Sequence, residues 1–298
     1  MSVTILVPTH NRPHTLSKIW QSWLQPGVSG VVIINDGSTL SYTKIFAELR
    51  RGCADSGIPV TIVTNDQRQG APAARNKGLE FVQTPYLVTV DDDITLAPNM
   101  VSTLLEKAKN ISNSIQGAKV VYLKDHDTEE SALETALKGS GDPSSYCSFP
   151  EMTICAWYNS PIDLKVPFVT AVACWPTDLF KKGLRYHERY GGNGFREETD
   201  PQIQASKEFG TEIYYVPSAI CYHLPPRLAY MGKSGQRRGG LLWFEYWAFR
   251  NNLHFFQRHG AYFKARYGVT PLAGVLSMLW ARVGLPRLLK LVKRKISG

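Results

Sequence analysis

Short runs of β-forming residues alternate with helical periods through residues 1–123, and that alternation leaves few folds open. Residues 3–8 read as a buried strand. Leu16, Ile19, Trp20, Trp23 and Leu24 then repeat at i, i+3, i+4, i+7 and i+8, the apolar stripe of an amphipathic helix. Pro13 suits the first turn of that helix. Residues 31–34 form a second strand, closed by the turn signal Asn35-Asp36-Gly37-Ser38. A helix near 42–53, a strand at 60–64, a helix at 73–82 and an apolar strand at 86–90 continue the series. Strand and helix in turn predict an α/β fold, a mostly parallel sheet covered by helices on both faces. Ligands of such sheets bind at the carboxyl ends of the strands. Thr9-His10-Asn11, Asn35-Asp36 and Asp91-Asp92-Asp93 all follow strands and are therefore expected on one rim.

The second half continues with a helix at 100–110 and a strand at 119–123, followed by a polar stretch at 124–165 that reads as loop-rich. Order resumes at 166–174, with a turn helix at 177–182, the cluster Gly191-Gly192-Asn193-Gly194, a helix at 197–209 and a strand at 213–216 leading to Tyr222-His223. The expected division is an α/β domain at 1–225, made of a first half at about 1–123 and a second at about 166–225. A helical, basic C-terminal region follows at 226–298. Residues 225–298 hold 14 Lys/Arg against the single acid Glu245, so the net charge of +9 belongs to this quarter. Five cysteines without CxxC spacing fit thiols in a reducing compartment better than disulfides or a zinc site. No apolar run reaches the roughly 18 residues of a spanning helix, and the N-terminus lacks the charged n-region of a signal peptide. The expected location is the cytoplasm.

Asp91-Asp92-Asp93, directly after an apolar strand, carries the strongest chemical signal. Adjacent carboxylates repel one another unless cations or hydrogen-bond donors are present. In an extended backbone Asp91 and Asp93 point one way and Asp92 the other, a pairing that suits a hard divalent ion which also holds phosphate oxygens. A solvated acidic turn is the plainer alternative. Glu197-Glu198-Thr199-Asp200 after the glycine cluster offers a second acidic group. Acids complement a helix dipole there, and a carboxylate on a glycine-framed edge can also act as a general base. Taken singly, Asp36 is an ordinary turn residue, His223 a packed histidine, and Arg75-Asn76-Lys77-Gly78 a solvated helical face.

In this order, the pieces resemble family 2 glycosyltransferases of the GT-A fold. The carriers are Val7-Pro8-Thr9-His10-Asn11-Arg12, Asn35-Asp36-Gly37-Ser38, Gly70-Ala71-Pro72-Ala73-Ala74-Arg75-Asn76-Lys77-Gly78, Val90-Asp91-Asp92-Asp93-Ile94, Phe195-Arg196-Glu197-Glu198-Thr199-Asp200, and Val216-Pro217 with Tyr222-His223. They span about residues 2–225. The resemblance implies a nucleoside-diphosphate sugar, a UDP-sugar first, as donor, and Mn2+ or Mg2+ as cofactor. It implies nucleotide binding by Thr9, Arg12, Asp36, Arg75, Asp91 and Asp92, and metal binding by Asp93 and His223. Glu198 stands at the base position, supported by Glu197 and Asp200. Aspartate is common there, so glutamate leaves Glu197 and Glu198 as alternatives. The implied reaction inverts the anomeric centre. Trp175 is the candidate acceptor platform, with a core tryptophan as the alternative.

The acceptor expected on this basis is a glycan or lipid-linked hydroxyl in cell-surface polysaccharide or glycoconjugate synthesis. Leu272, Leu276, Leu279 and Val283, then Leu288, Leu289, Val292 and Ile296, keep helical spacing beside Arg287, Lys290, Lys293, Arg294 and Lys295. Such a basic amphipathic stretch can lie on an anionic membrane surface, here the inner face. Trp243, Phe244, Tyr246, Trp247 and Arg250-Asn251-Asn252 are expected in a membrane-proximal or acceptor-side subdomain. A polyprenyl-phosphate sugar synthase is a narrower variant. A nucleotidyltransferase would need a glycine-rich phosphate loop after the first strand, where Thr9-His10-Asn11-Arg12-Pro13 has no glycine. A nucleic-acid-binding protein would leave both acidic clusters without a role, so no nucleic acid partner is expected.

Overall fold

The computed structural model describes residues 2–138, 146–149, 152–229 and 240–276. The chain runs β1 (Val3–Thr9), α1 (Pro13–Ile19), β2 (Val28–Asn35), α2 (Thr43–Asp55), β3 (Val60–Thr64), α3 (Ala71–Leu79) and β4 (Tyr86–Thr89). It continues with β5 (Ile94–Leu96), α4 (Met100–Asn110), β6 (Ser114–Tyr122), α5 (Glu129–Lys138) and three two-residue strands, β7 (Cys147–Ser148), β8 (Thr153–Ile154) and β9 (Leu164–Lys165). Last come β10 (Ala173–Pro176), α6 (Thr177–Lys181), α7 (Thr199–Phe209), β11 (Glu212–His223), α8 (Pro226–Ala229) and α9 (Gly240–Tyr267).

The main sheet has the order β3-β2-β1-β4-β10-β6-β11-β5, with β9 added on β11. Strands β1 to β4 are mutually parallel, and so are β6 and β11. Strand β10 enters antiparallel between β4 and β6 and joins the two parallel blocks. Side chains alternate across the strands, as the pleat requires. Val3, Ile5 and Val7 of β1 face Leu16, Ile19 and Leu49 on one side, while Leu6 faces Ala74 of α3 on the other. This double covering explains the continuously apolar strands.

Three features depart from the sequence expectation. The 124–165 stretch is not wholly loop: it holds α5, the β7–β8 hairpin and β9, and Val120 N–H donates to Ala156 O at 2.8 Å, which brings the stretch back to β6. The strand expected at 213–216 runs on to His223, because a register shift between Val216 and Ile220 absorbs Pro217 without ending the pairing. Helix α7 starts at Thr199, which leaves Glu197 and Glu198 in the preceding turn. The basic stretch from 277 onward lies outside the described residues, so only Leu272 and Leu276 of its expected apolar face are described, both exposed.

Helix α9 docks against the catalytic half. Phe255, Phe256 and Phe263 form a buried cluster with Phe168, Tyr190 and Ile203. Among the described residues no helix is long and apolar enough to cross a membrane.

Candidate active site

The carboxyl ends of β1, β2, β4, β6 and β11 open into a cleft of about 930 Å3. Thr9, Asp36, Asp91, Asp92, Asp93, Arg75, Glu197, Glu198 and His223 all line it. Asp93, Glu198 and His223 therefore share one cavity despite their distance in sequence. Seven acidic residues and four arginines contribute to its wall.

The aspartate triplet does not follow strand alternation. The backbone turns at Asp92-Asp93, so these two neighbours share a cation while Asp91 takes another. Arg12 Nη1 donates to Asp92 Oδ1 at 2.8 Å and to Asp93 Oδ2 at 2.7 Å. Thr9 Oγ1 donates to Asp92 Oδ2 at 2.7 Å, and Tyr42 OH joins the group by accepting from Arg12 N–H at 2.7 Å. Burial pushes the Asp92 carboxyl up to about 6, against the pull of Arg12. Arg12 itself stays fully charged: burial lowers its pKa, but Asp92 and Asp93 more than offset that and raise it. Arg75 repeats the device from α3. Its Nη2 donates to Asp91 Oδ1 at 2.7 Å and its Nη1 to Glu197 Oε1 at 2.9 Å, with the guanidinium over the Tyr186 ring.

Asp36 is held by its own neighbours. Oδ1 accepts from Asn65 Nδ2 at 3.0 Å and Gln69 N–H at 2.8 Å, and Oδ2 from Gly70 N–H at 2.8 Å. Asp36 thus fixes the loop before α3 as well as lining the cleft. The rims of β1 and β2 are tied by Asn11, whose backbone adopts φ 55° and whose Oδ1 accepts from Thr39 and Leu40 N–H.

Glu198 differs from Asp91, Asp92, Asp93 and Glu197. It makes no ion pair among the described residues, and burial raises its carboxyl above the ordinary range. Burial pushes Glu197 up to about 7, against the pull of Arg75. The turn that presents both glutamates is set by Arg196, a non-glycine residue at φ 71°, a conformation that other interactions must stabilise. Arg196 is 4% exposed, with its guanidinium over the rings of Phe168, Phe195 and Phe255 and its Nε donating to Asn252 Oδ1 at 3.1 Å. Gly192 has φ 65°, and a Cβ there would stand 2.1 Å from Trp247, so α9 closes directly over this loop. Sequence reasoning quoted Arg196 within a motif but gave it no role, because its partners come from a helix more than 50 residues away.

Two expected site residues do not reach the cleft. Trp175 is 1% exposed, packs on Phe180 and Tyr186 and donates Nε1–H to Thr89 Oγ1 at 3.2 Å. It is a core residue, because β10 lies inside the sheet and turns that side chain into the second core. Asp200 is fully buried and accepts from Tyr190 OH, Arg258 Nε and His259 Nε2 at 2.7, 2.8 and 2.8 Å. Although burial opposes it, this set of donors holds Asp200 down at about 2. Its position in the first turn of α7 aims it at α9 rather than at the cleft. Among the other aromatics, Tyr122 and Trp157 line the cleft and are 49% and 45% exposed. Closeness to a strand end hinted at this for Tyr122, and no local signal did so for Trp157.

A divalent ion that accompanies a diphosphate takes one or two protein ligands and draws the rest from water and phosphate. Asp93 and His223 fit that demand. His223 Nδ1 lies 2.8 Å from Leu224 O and donates to it, which leaves the Nε2 lone pair turned to Asp93 Oδ2 at 3.5 Å. Among the described residues no group of three His, Cys, Asp or Glu is placed to hold a metal unaided.

The comparisons with known proteins agree with this architecture. Residues 4–166 match the family model described as glycosyl transferase family 2. The teichoic acid poly(glycerol phosphate) polymerase of Staphylococcus epidermidis is 30% identical over 115 residues, which cover 38% of this chain and only 16% of that protein. S. aureus TarS 1-349 in complex with UDP-GlcNAc superposes with TM-score 0.57 at 14% identity, covering 97% of this chain and 78% of that one. The mannosyltransferase PcManGT from Pyrobaculum calidifontis, in complex with GDP-Man and Mn2+, gives TM-score 0.57 at 13% identity over 99% and 79%. At these identities the two structures establish the fold, GT-A, while the matched model covers more than half of the chain. The chain belongs to glycosyl transferase family 2.

Proposed function

We propose that this enzyme moves a sugar from a nucleoside diphosphate to an acceptor hydroxyl with inversion, using Glu198 as the general base. One observation carries the reading. Asp91, Asp92, Asp93 and Glu197 are each tied to Arg12 or Arg75, whereas Glu198 shares their cleft and makes no ion pair among the described residues. Its raised pKa makes it a better proton acceptor than an ordinary carboxylate. Glu198 takes the hydroxyl proton as the acceptor oxygen bonds to the anomeric carbon. The bond from that carbon to the diphosphate breaks, and its electron pair leaves with the phosphate oxygen. When bound at Asp93 and His223, Mg2+ or Mn2+ supplies neutralisation of charge on that leaving group. Thr9, Arg12 and Arg75 fix the nucleotide-side carboxylates, and Asp36 lines the base end of the cleft.

UDP- and GDP-sugars are the first donors to test, since the TarS and PcManGT structures are complexes with UDP-GlcNAc and GDP-Man. The name of the teichoic acid relative supports an acceptor in a cell-surface polymer. The basic C-terminal sequence supports contact with an anionic membrane surface from the cytoplasmic side. A donor screen that follows nucleoside diphosphate release with and without EDTA tests the core of this reading. Release from one donor, abolished by EDTA and by Asp93→Ala, is expected. Release that is indifferent to EDTA would remove the cation from the mechanism.

A further inference from the structure

Tyr122 and Trp157 are large aromatics left about half exposed inside a cleft whose wall also holds seven acidic residues and four arginines. Tyr122 ends β6, opposite His223 of β11 in the strand register. The Tyr122 ring stacks on the His223 ring at 5.0 Å between centroids and 30° between planes. Trp157 meets Tyr122 edge to face, at 5.7 Å and 83°. It is delivered by the 124–165 stretch, which the Ala156 hydrogen bond pins to β6. The pair makes a corner with two perpendicular aromatic walls. His223 links that corner to Asp93, and Glu198 shares the same cavity.

From this placement we infer that Tyr122 and Trp157 form the acceptor subsite and that it takes a neutral pyranose ring. The inference rests on the glycosyl-transfer reading and adds the acceptor class to it. A pyranose has an apolar C–H face that lies on an aromatic plane and a rim of hydroxyls that accept and donate hydrogen bonds. Two walls at right angles hold one such ring and leave its rim toward Glu198. An alkyl or prenyl chain would gain from the walls but nothing from the carboxylates beside them. An anionic acceptor unit would meet acids in excess, seven against four arginines in the lining.

The test uses the full-length protein and methyl glycosides of neutral hexopyranoses as probes, with binding read by saturation-transfer NMR. Geranyl monophosphate and glycerol phosphate serve as the lipid and anionic arms. Transfer to C–H protons of one pyranose face is expected in the wild type. Trp157→Ala should weaken that binding about 10-fold, as loss of a central aromatic anchor does, while Trp157→Phe keeps most of it. Tyr122→Ala should weaken it as well, and circular dichroism establishes that each variant is folded. Glycoside binding that survives both alanine variants unchanged overturns the inference. So does a wild type that takes up geranyl monophosphate or glycerol phosphate at this corner in preference to every glycoside. A wild type that binds glycosides here yet releases nucleoside diphosphate from no donor keeps the subsite and overturns the transfer reading instead.

Discussion

On the proposed donor side of the cleft, Asp91, Asp92 and Asp93 lie against arginines from α3 and from the turn after β1, so charge is matched where it arises. On the proposed acceptor side, Glu198 makes no ion pair among the described residues, and its position is fixed indirectly through Arg196, Asn252 and the Asp200 cluster. The first arrangement suits binding of a charged group to a preset frame. The second suits a proton acceptor, which loses basicity when a cation pairs with it. The carboxylate proposed to react is the one without an ion pair among the described residues, and its neighbours hold the backbone.

The sharpest way to break this contrast is Glu198→Gln. Turnover should fall about 1000-fold, within the range for loss of a general base, while nucleotide affinity and folding stability change little. Near-normal turnover would transfer the role to Glu197 or remove it altogether. Arg12→Ala should behave in the opposite way. It strands Asp92 and Asp93 in a buried place, and a loss of about 3–5 kcal/mol is expected in denaturant titration. An equal loss in both variants would erase the distinction drawn above.

Asp200→Asn probes the indirect hold on the base. Because Asp200 is depressed to about 2, the stability it contributes is complete above the ordinary aspartate value of about 3.9 and is lost as pH falls through 2. The variant should lose roughly 2–3 kcal/mol at neutral pH, with a flatter decline in acid. A wild-type acid profile would disconnect the cluster from stability. The smallest effect concerns the rate profile. Burial raises Glu198, so the acid limb of kcat/KM should lie above the ordinary glutamate value of about 4.3. A limb at or below that value in the wild type would contradict an unpaired, buried base.

Much of the donor side could be read from the chain. The strand at 60–64 and the helix at 100–110 appear where local patterning put them, because each needs only its own residues and one buried face. The three polar clusters after β1, β2 and β4 were legible for the same reason: parallel topology sends strand ends to one rim. Side-chain pairing was less legible. The alternation expected of Asp91 and Asp93 fails because the chain turns there, and no local signal tells that Arg12, 80 positions earlier, bridges Asp92 and Asp93. Trp175 looked like a platform because its sequence neighbourhood cannot reveal that β10 threads between β4 and β6.

Periodicity and the order of motifs were enough to determine an α/β chain with an acidic rim and a glutamate pair near it. Tertiary packing alone decided which acids are neutralised, that Arg196 holds a left-handed backbone against three aromatic rings, and that Trp157 arrives beside Tyr122. The reason is physical. Secondary structure follows from interactions within a few residues, whereas ion pairs and aromatic contacts depend on which distant segments the sheet order brings into reach.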